Sequence, residues 1–110
     1  MNMKKRLPPE QLERVAEVFS TLSECSRLQL LQELMQGPRT VSELVEATGM
    51  KQGNVSKQLG ILYSARLVER TREGNFIRYS IRDELVIQLC DAVCHSLRRQ
   101  ALAEADRFAS

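Results

Sequence analysis

Apolar residues recur every three or four positions through the N-terminal third of the chain, which is the spacing of amphipathic helices. A first helix is predicted to begin at Pro8 and Pro9, because proline is tolerated in a first helical turn. A second helix is predicted to begin between residues 23 and 26 and to end at Gly37 and Pro38. The main apolar positions of these two helices are Leu12, Val15, Ala16, Phe19, Leu22, Leu28, Leu31, Leu34 and Met35.

The middle of the chain, residues 41–82, begins with two further predicted helices. Thr40 and Glu43 fit a capping box, in which each side chain accepts a hydrogen bond from the backbone N–H of the other residue, so a third helix is predicted to begin there. Gly49 is predicted to end it. A fourth helix is predicted from about Gln52 to Ala65. Its inward-facing residues are Val55, Leu59 and Leu62, and its largely outward-facing polar residues are Asn54, Ser56, Lys57 and Gln58.

The stretch LVERTREGNFIRYSI, residues 67–81, has the periodicity of strands and predicts a two-stranded hairpin. Apolar Ile77, Tyr79 and Ile81 alternate with the residues between them, and the sequence Glu-Gly-Asn at residues 73–75 supplies the turn. The order of helix, turn, helix and β-wing predicts a winged helix-turn-helix. That architecture favours a protein that binds duplex DNA.

A long last helix is predicted to begin at the capping residue Asp83 and to run to about Phe108. It carries an apolar stripe, and a terminal helix of this kind beside an amphipathic N-terminal helix usually packs against a partner chain. We therefore expect one domain spanning residues 1–110, mainly α with a small β-hairpin, that forms a homodimer through its first and last helices. The stripe consists of Leu85, Val86, Leu89, Val93 and Leu97.

Composition narrows the class of protein without identifying it. Hydrophobic residues make up 43% of the 110 residues, which is enough for a core, yet no apolar run is long enough to span a membrane. The basic N-terminus lacks the apolar segment of a secretory signal. Three cysteines without paired spacing indicate a reducing cytoplasm. Few aromatic residues and no tryptophan argue against a stacking platform for single-stranded nucleic acid.

Positive charge is concentrated in the predicted DNA-binding part. Residues 51–82 contain seven basic and two acidic residues, a local charge of +5, whereas the whole chain has a net charge of +2. A solvated charged face is the commoner explanation of such a cluster, but here the cluster coincides with the motif, which favours DNA. The basic residues are Lys51, Lys57, Arg66, Arg70, Arg72, Arg78 and Arg82.

The fourth helix and the wing supply the candidate DNA contacts. Asparagine and glutamine can pair with adenine, and lysine can reach guanine acceptors. The candidates on the helix are Gln52, Asn54, Ser56, Lys57 and Gln58, and those on the wing are Arg70, Arg72, Asn75 and Arg78. Ser56 could instead hold a phosphate, and Asn54 or Gln58 could be surface polar residues without a contact. Further phosphate candidates are Thr40, Ser42 and Lys51.

The motifs SRLQLLQEL, TVSELVEATGM, NVSKQLGIL and ARLVERTREGNFIRYSI, in this order, resemble the core of the ArsR/SmtB (arsenic-repressor-like) family. The resemblance covers about residues 22–81. It implies a small bacterial winged-helix repressor, α-α-α-α-β-β-α in element order, that dimerises through its first and last helices. It further implies binding to an imperfect palindrome over the protein's own promoter and release by an effector.

This sequence departs from the family pattern at several positions. Lys51 stands where serine or threonine often caps the fourth helix, and Gln58 stands where histidine is common. Many members sense metals, but residues 39–44 lack the Cys-x-Cys segment of one family site. Only Asp91 and His95 stand where another site uses Asp and His pairs, and His95 is the sole histidine, so zinc sensing of that kind is not expected.

The cysteines Cys25, Cys90 and Cys94 are candidate sensor thiols, and no cofactor is expected to be required for DNA binding. Cys90 and Cys94 share one helix face at i, i+4 spacing. All three could form a trigonal site for As(III) or a similar soft metal. Alternatively, Cys25 could pair with one of the others as a dithiol switch, which the family resemblance also implies, or Cys90 and Cys94 could simply pack as small hydrophobic residues.

Two other functions, catalysis and protein–protein interaction, are alternatives to DNA binding. An enzyme needs a base paired with a nucleophile in a cleft, and the only conceivable pair is Cys25 with His95. A winged helix that serves only as a protein-interaction module is the second rival, which the local charge of residues 51–82 disfavours. Salt-dependent DNA binding would separate the two.

Overall fold

The computed structural model describes residues 6–109; the remainder of the predicted domain, residues 1–5 and 110, lies outside the described residues. Within residues 6–109, five helices and three strands follow one another as α1 (Pro9–Leu22), α2 (Cys25–Leu34), β1 (Arg39–Thr40), α3 (Val41–Thr48), α4 (Gln52–Ser64), β2 (Val68–Glu73), β3 (Phe76–Ile81) and α5 (Glu84–Ala109). The predicted mainly helical winged helix-turn-helix is confirmed.

The core forms where α2, α3 and α4 meet, because each helix places leucines or valines on one face. Leu31, Leu44, Leu59 and Leu62 are completely buried there. Val86 of α5 and Tyr79 of β3 extend the same cluster. This cluster holds α4 firmly by its inner face, so its outer face is presented on a rigid support.

Sequence signals account for the helix-turn-helix joint. Thr40 and Glu43 form the predicted capping box at the start of α3. Gly49 ends α3 in the left-handed conformation, with φ of 75°, which a glycine adopts without the steric penalty of a Cβ. The turn between α3 and α4 is therefore tight.

The sheet has one strand more than predicted. Arg39 and Thr40 form β1, which pairs antiparallel with β3, so the strand order is β1-β3-β2 and the wing is a three-stranded sheet. The prediction of a two-stranded hairpin missed β1 because a two-residue strand has no periodicity of its own. The β2–β3 hairpin itself is confirmed, with Glu73 opposite Phe76 across the turn.

The two terminal helices pack on this core only in part. Thr21 of α1 and Val86 of α5 are buried, and the Arg14 guanidinium donates a hydrogen bond of 2.8 Å to the carbonyl of Ala65 at the end of α4. Within residues 6–109 no helix has both the length and the apolar character that a membrane crossing requires. Large apolar side chains on both terminal helices remain exposed in the isolated chain, among them Leu12, Phe19, Leu85, Val93, Leu97 and Leu102.

Candidate nucleic-acid interface

The N-terminal half of α4 presents polar side chains to solvent. Val55 and Leu59 are completely buried on the inner face. Since helix positions three and four apart share a face, the intervening residues point away from the core. Four predicted DNA-contacting residues are exposed there: Gln52, Asn54, Ser56 and Lys57. They are accessible to a duplex, and their contact with it stays a prediction.

Gln58 is different, and the expectation that it lies on the outer face of α4 is wrong. Its side chain is only 7% exposed. It follows Val55 by three residues and precedes Leu62 by four, so the helical period places it on the inner face despite its polarity. Its amide donates to Asn54 Oδ1 at 3.0 Å and accepts from Arg27 Nη1 at 3.0 Å. Gln58 is thus placed to support Asn54 rather than to reach a base.

Three of the predicted wing residues, Arg70, Arg72 and Asn75, are exposed. The Arg70 guanidinium lies over the Tyr63 ring, 4.0 Å from its centroid, a cation–π contact that holds the arginine against the end of α4. Arg72 Nε donates to the carbonyl of Gly74 in the turn at 3.3 Å. Both arginines are therefore held at the wing while their charge stays available to a phosphate.

Arg78 is the wing residue with the most protein partners. Its guanidinium lies 3.1 Å from a Glu73 carboxylate oxygen and 3.4 Å from Glu43 Oε1. Both pairs are exposed to solvent, so each stabilises the fold only slightly. Their consequence for binding is larger, because two carboxylates offset the positive charge that Arg78 would bring to a phosphate.

The three phosphate candidates sit in different surroundings. Thr40 is nearly buried, and its hydroxyl accepts a hydrogen bond of 3.2 Å from the Glu43 backbone N–H, so it serves as a helix cap. Ser42 is exposed in the first turn of α3. Lys51 precedes α4 and, within the described residues, makes no side-chain capping bond, as its replacement of serine or threonine predicts. The backbone N–H groups that begin α4 are left for another acceptor.

The capping box changes the pKa of the Glu43 carboxyl group. Hydrogen bonds from the Thr40 backbone N–H and then its hydroxyl, aided by the charges of Arg78 and Arg39, lower the pKa of the Glu43 carboxyl below its ordinary value of 4.5. Because the folded pKa is depressed, this group stabilises the fold above about pH 4.5, and that stabilisation is lost as the pH falls through the folded pKa.

We expect Glu43→Gln to reveal this contribution. The amide can still accept from Thr40 but carries no charge, so the variant should be less stable than the parent at pH 7, and the difference should be smaller at pH 3. Urea unfolding at both pH values measures the difference, with Glu46→Gln, an exposed glutamate of the same helix, as control. An equal difference at pH 7 and pH 3 would contradict the role assigned to the Glu43 charge.

The three cysteines, all free thiols, differ in exposure. Cys25, the first residue of α2, and Cys94 of α5 are exposed, whereas Cys90 is partly buried against the core. Burial, followed by the neighbouring Cys94 and Asp91, raises the pKa of the Cys90 thiol above its ordinary value of 9.0. Partial burial and the raised pKa both make Cys90 less available as a thiolate.

The hypothesis of a trigonal metal site within one chain is not supported. Within the part of the chain that the structure describes, no three His, Cys, Asp or Glu side chains are grouped so that they could hold a metal ion. His95 lies exposed on α5 together with Asp91. Any site with three thiol ligands would need a rearrangement or ligands from a second chain.

Sequence reasoning missed two arginines that position α4. Arg27 reaches Gln58 across 31 residues of sequence, and Arg14 reaches Ala65 across 51. No local periodicity signals such long-range pairs. The polar residue Gln58 at an inner-face position was the one available signal, since a buried amide requires partners.

The amino-acid sequence of this chain is similar to those of known proteins. The family model described as "Bacterial regulatory protein, arsR family" matches residues 25–70. The Mycobacterium tuberculosis protein named HTH-type transcriptional regulator NmtR is 39% identical over 97 residues, which cover 88% of this chain and 81% of that protein.

Two solved structures have the same fold. A solution structure of a homodimeric winged helix-turn-helix DNA-binding domain from Mycobacterium bovis is 36% identical, with a TM-score of 0.77 over 89% of this chain and 91% of that one. The crystal structure of the AntR antimony-specific transcriptional repressor is 29% identical, with a TM-score of 0.80 over 91% of this chain and 92% of that one. The chain belongs to the arsR family of bacterial regulatory proteins and is a DNA-binding transcriptional regulator with a winged helix-turn-helix fold.

Proposed function

We propose that this protein is a cytoplasmic homodimeric repressor that binds a palindromic operator and leaves it when an effector reacts with its cysteines. The observation that carries the proposal is the exposed polar N-terminal half of α4 beside an arginine-bearing wing. The helix would read base edges in the major groove, where amide and ammonium groups discriminate between base pairs. The wing arginines would fix the position of the chain on the backbone.

The homodimer is supported by the exposed apolar faces of the terminal helices. Phe19 of α1 is 59% exposed, and Val93 and Leu97 of α5 are 57% and 58% exposed. Large apolar side chains exposed in a row mark an interaction surface. The structurally similar winged helix-turn-helix domain from Mycobacterium bovis is homodimeric. Two chains related by a two-fold axis would present two copies of α4 to two inverted half-sites, which is why the operator is proposed to be palindromic.

Release through thiols is supported by the exposure of Cys25 and Cys94. The similarity to an antimony-specific repressor supports a soft metalloid as the effector of this protein. Soft metalloids prefer thiolate ligands. Reactive sulfur is the second effector class that exposed thiols would meet. The alternative is that the thiols have only a structural role. The packing of Cys90 against the core favours this alternative for Cys90 alone.

Fluorescence anisotropy on labelled DNA from upstream of the protein's own gene tests this proposal. We expect the reduced protein to bind, and either arsenite or a polysulfide donor to release it, while Zn(II) has no such effect. Release should be lost in Cys25→Ser or Cys94→Ser, with the thiol state followed by mass spectrometry. Tight binding that is indifferent to all three agents would contradict thiol sensing, and no binding to that DNA would contradict autoregulation.

A further inference from the structure

A continuous chain of hydrogen bonds runs from α2 through the buried face of α4 to its exposed face. Arg27 Nε donates to the carbonyl of Thr21 at 2.7 Å, which anchors the guanidinium beside the end of α1. Arg27 Nη1 donates to Gln58 Oε1 at 3.0 Å, and Gln58 Nε2 donates to Asn54 Oδ1 at 3.0 Å. A half-buried arginine and a buried amide thus end on a side chain that faces solvent.

Arg27 fixes the donor-to-acceptor direction of this series of hydrogen bonds. A guanidinium has donors and no acceptor, so the oxygen of the Gln58 amide must face Arg27. The nitrogen of that amide must then face Asn54, and the oxygen of Asn54 must face Gln58. The orientation of both amides follows from this chemistry, without any need to distinguish nitrogen from oxygen in the structure.

The burial of Gln58 prevents its amide from flipping, so the direction of these hydrogen bonds cannot reverse. Gln58 is 7% exposed, so water cannot readily replace either of its partners. A flipped Gln58 amide would place its N–H donors against those of Arg27 and leave both sides unpaired. Among the described residues no buried side-chain nitrogen or oxygen lacks a partner, so the core shows no such conflict.

We propose that Arg27, acting through Gln58, is a positioning residue that makes Asn54 present its amide N–H donors, rather than its oxygen, to the operator. This inference rests on the proposed function, because it assigns a polarity to one of the reading residues. Among the described residues, the one acceptor recorded for the Asn54 Nδ2 atom is the sulfur of Met50, at 3.9 Å, and sulfur is a weak acceptor. The Asn54 amide nitrogen is therefore available to a stronger one.

The chemistry that would recognise such a donor is a hydrogen-bond acceptor on a base edge in the major groove. Guanine offers N7 and O6 there and thymine offers O4, whereas the N4 amino group of cytosine is a donor. At the operator position that Asn54 contacts, we expect a base with an outward acceptor to be preferred about tenfold over cytosine on the same strand.

Gln58→Glu tests the proposed polarity by reversing it. A carboxylate only accepts, so it would still pair with Arg27 but would require Asn54 to turn its N–H donors inward and its oxygen toward the DNA. The preferred base at that position should then become one with an amino donor, cytosine or adenine. Anisotropy on a set of duplexes carrying each base pair at each half-site position measures the preference, and Asn54→Ala identifies the position by abolishing it.

Three further variants separate polarity from charge and from folding. Gln52→Glu adds the same charge to the same helix outside the hydrogen-bond chain, and it should weaken binding without changing the preference at the Asn54 position. Arg27→Lys retains an obligate donor and should keep the preference, whereas Arg27→Met removes the donor and should reduce it about tenfold. Circular dichroism establishes that each variant is folded.

Each outcome decides the inference. A changed preferred base in Gln58→Glu, or a preference kept by Arg27→Lys and lost in Arg27→Met, supports it. An unchanged preference in Gln58→Glu and Arg27→Met, or an Asn54→Ala variant that alters no position, overturns it while leaving DNA binding intact. Failure of the parent protein to bind DNA would instead refute the proposed function, on which the inference rests.

Discussion

Replacing Lys57 and Arg72 together with alanine should weaken operator binding on the order of a hundredfold for each bound chain at about 0.1 M salt. Both side chains are exposed, one on the outer face of α4 and one at the wing. Each phosphate contact that is lost also reduces the slope of log K against log salt concentration by about 0.9. Titrations at several salt concentrations therefore measure both effects.

The matched control removes the same charge from another part of the chain. Arg98→Ala with Arg99→Ala alters two exposed arginines of α5 and should leave both the affinity and the salt slope nearly unchanged. Sedimentation should show the same oligomeric state for both double variants. If Lys57→Ala with Arg72→Ala bound the operator as tightly as the parent protein, the reading surface would have been assigned to the wrong residues.

Placing carboxylates on the apolar face of α5 should have the largest effect on assembly. Val93 and Leu97 are 57% and 58% exposed in the isolated chain. If a partner chain covers them, Val93→Glu with Leu97→Glu would bury unpaired charges, which cost several kcal/mol each. We expect the dimer to dissociate on the order of a thousandfold more readily and operator affinity to fall with it.

Sedimentation velocity at micromolar concentration measures this change. Gln88→Glu, which adds one carboxylate on the opposite side of α5, should remain dimeric and provides the control. The Val93→Glu, Leu97→Glu variant should retain the circular dichroism spectrum of the parent, because Val93 and Leu97 both lie outside the buried core. A parent protein that sediments as a monomer, or a variant that stays dimeric, would contradict a dimer built on this face.

The helices could be predicted because their signals are local. The capping box of Thr40 and Glu43, the glycine after α3 and the apolar periods each act within a few residues, and the observed helix ends lie close to the predicted ones. β1 could not be predicted in the same way, because Arg39 becomes a strand residue only by pairing with Tyr79. Its structure depends on a contact between distant parts of the chain.

The exposed polar residues of the candidate site could be predicted from the sequence, whereas the residues that hold them in position could not. Exposure of Gln52, Asn54 and Lys57 followed from the helical period, but the same period places Gln58 inside, and its polarity was the misleading signal. Arg27 gave no local sign of its contact with Gln58. Side chains that touch DNA can be suggested by residue type and spacing, whereas those that orient them are recognised only once the packing is known.

Amide chemical-shift mapping of the protein with operator duplex tests whether α4 and the wing form the DNA-binding surface. A dimer of two 12.6 kDa chains is within reach of two-dimensional NMR. We expect the largest shift changes on adding duplex to fall on residues 51–58 at the start of α4 and on residues 70–78 of the wing. Changes confined to α5, or absent from α4, would contradict this expectation.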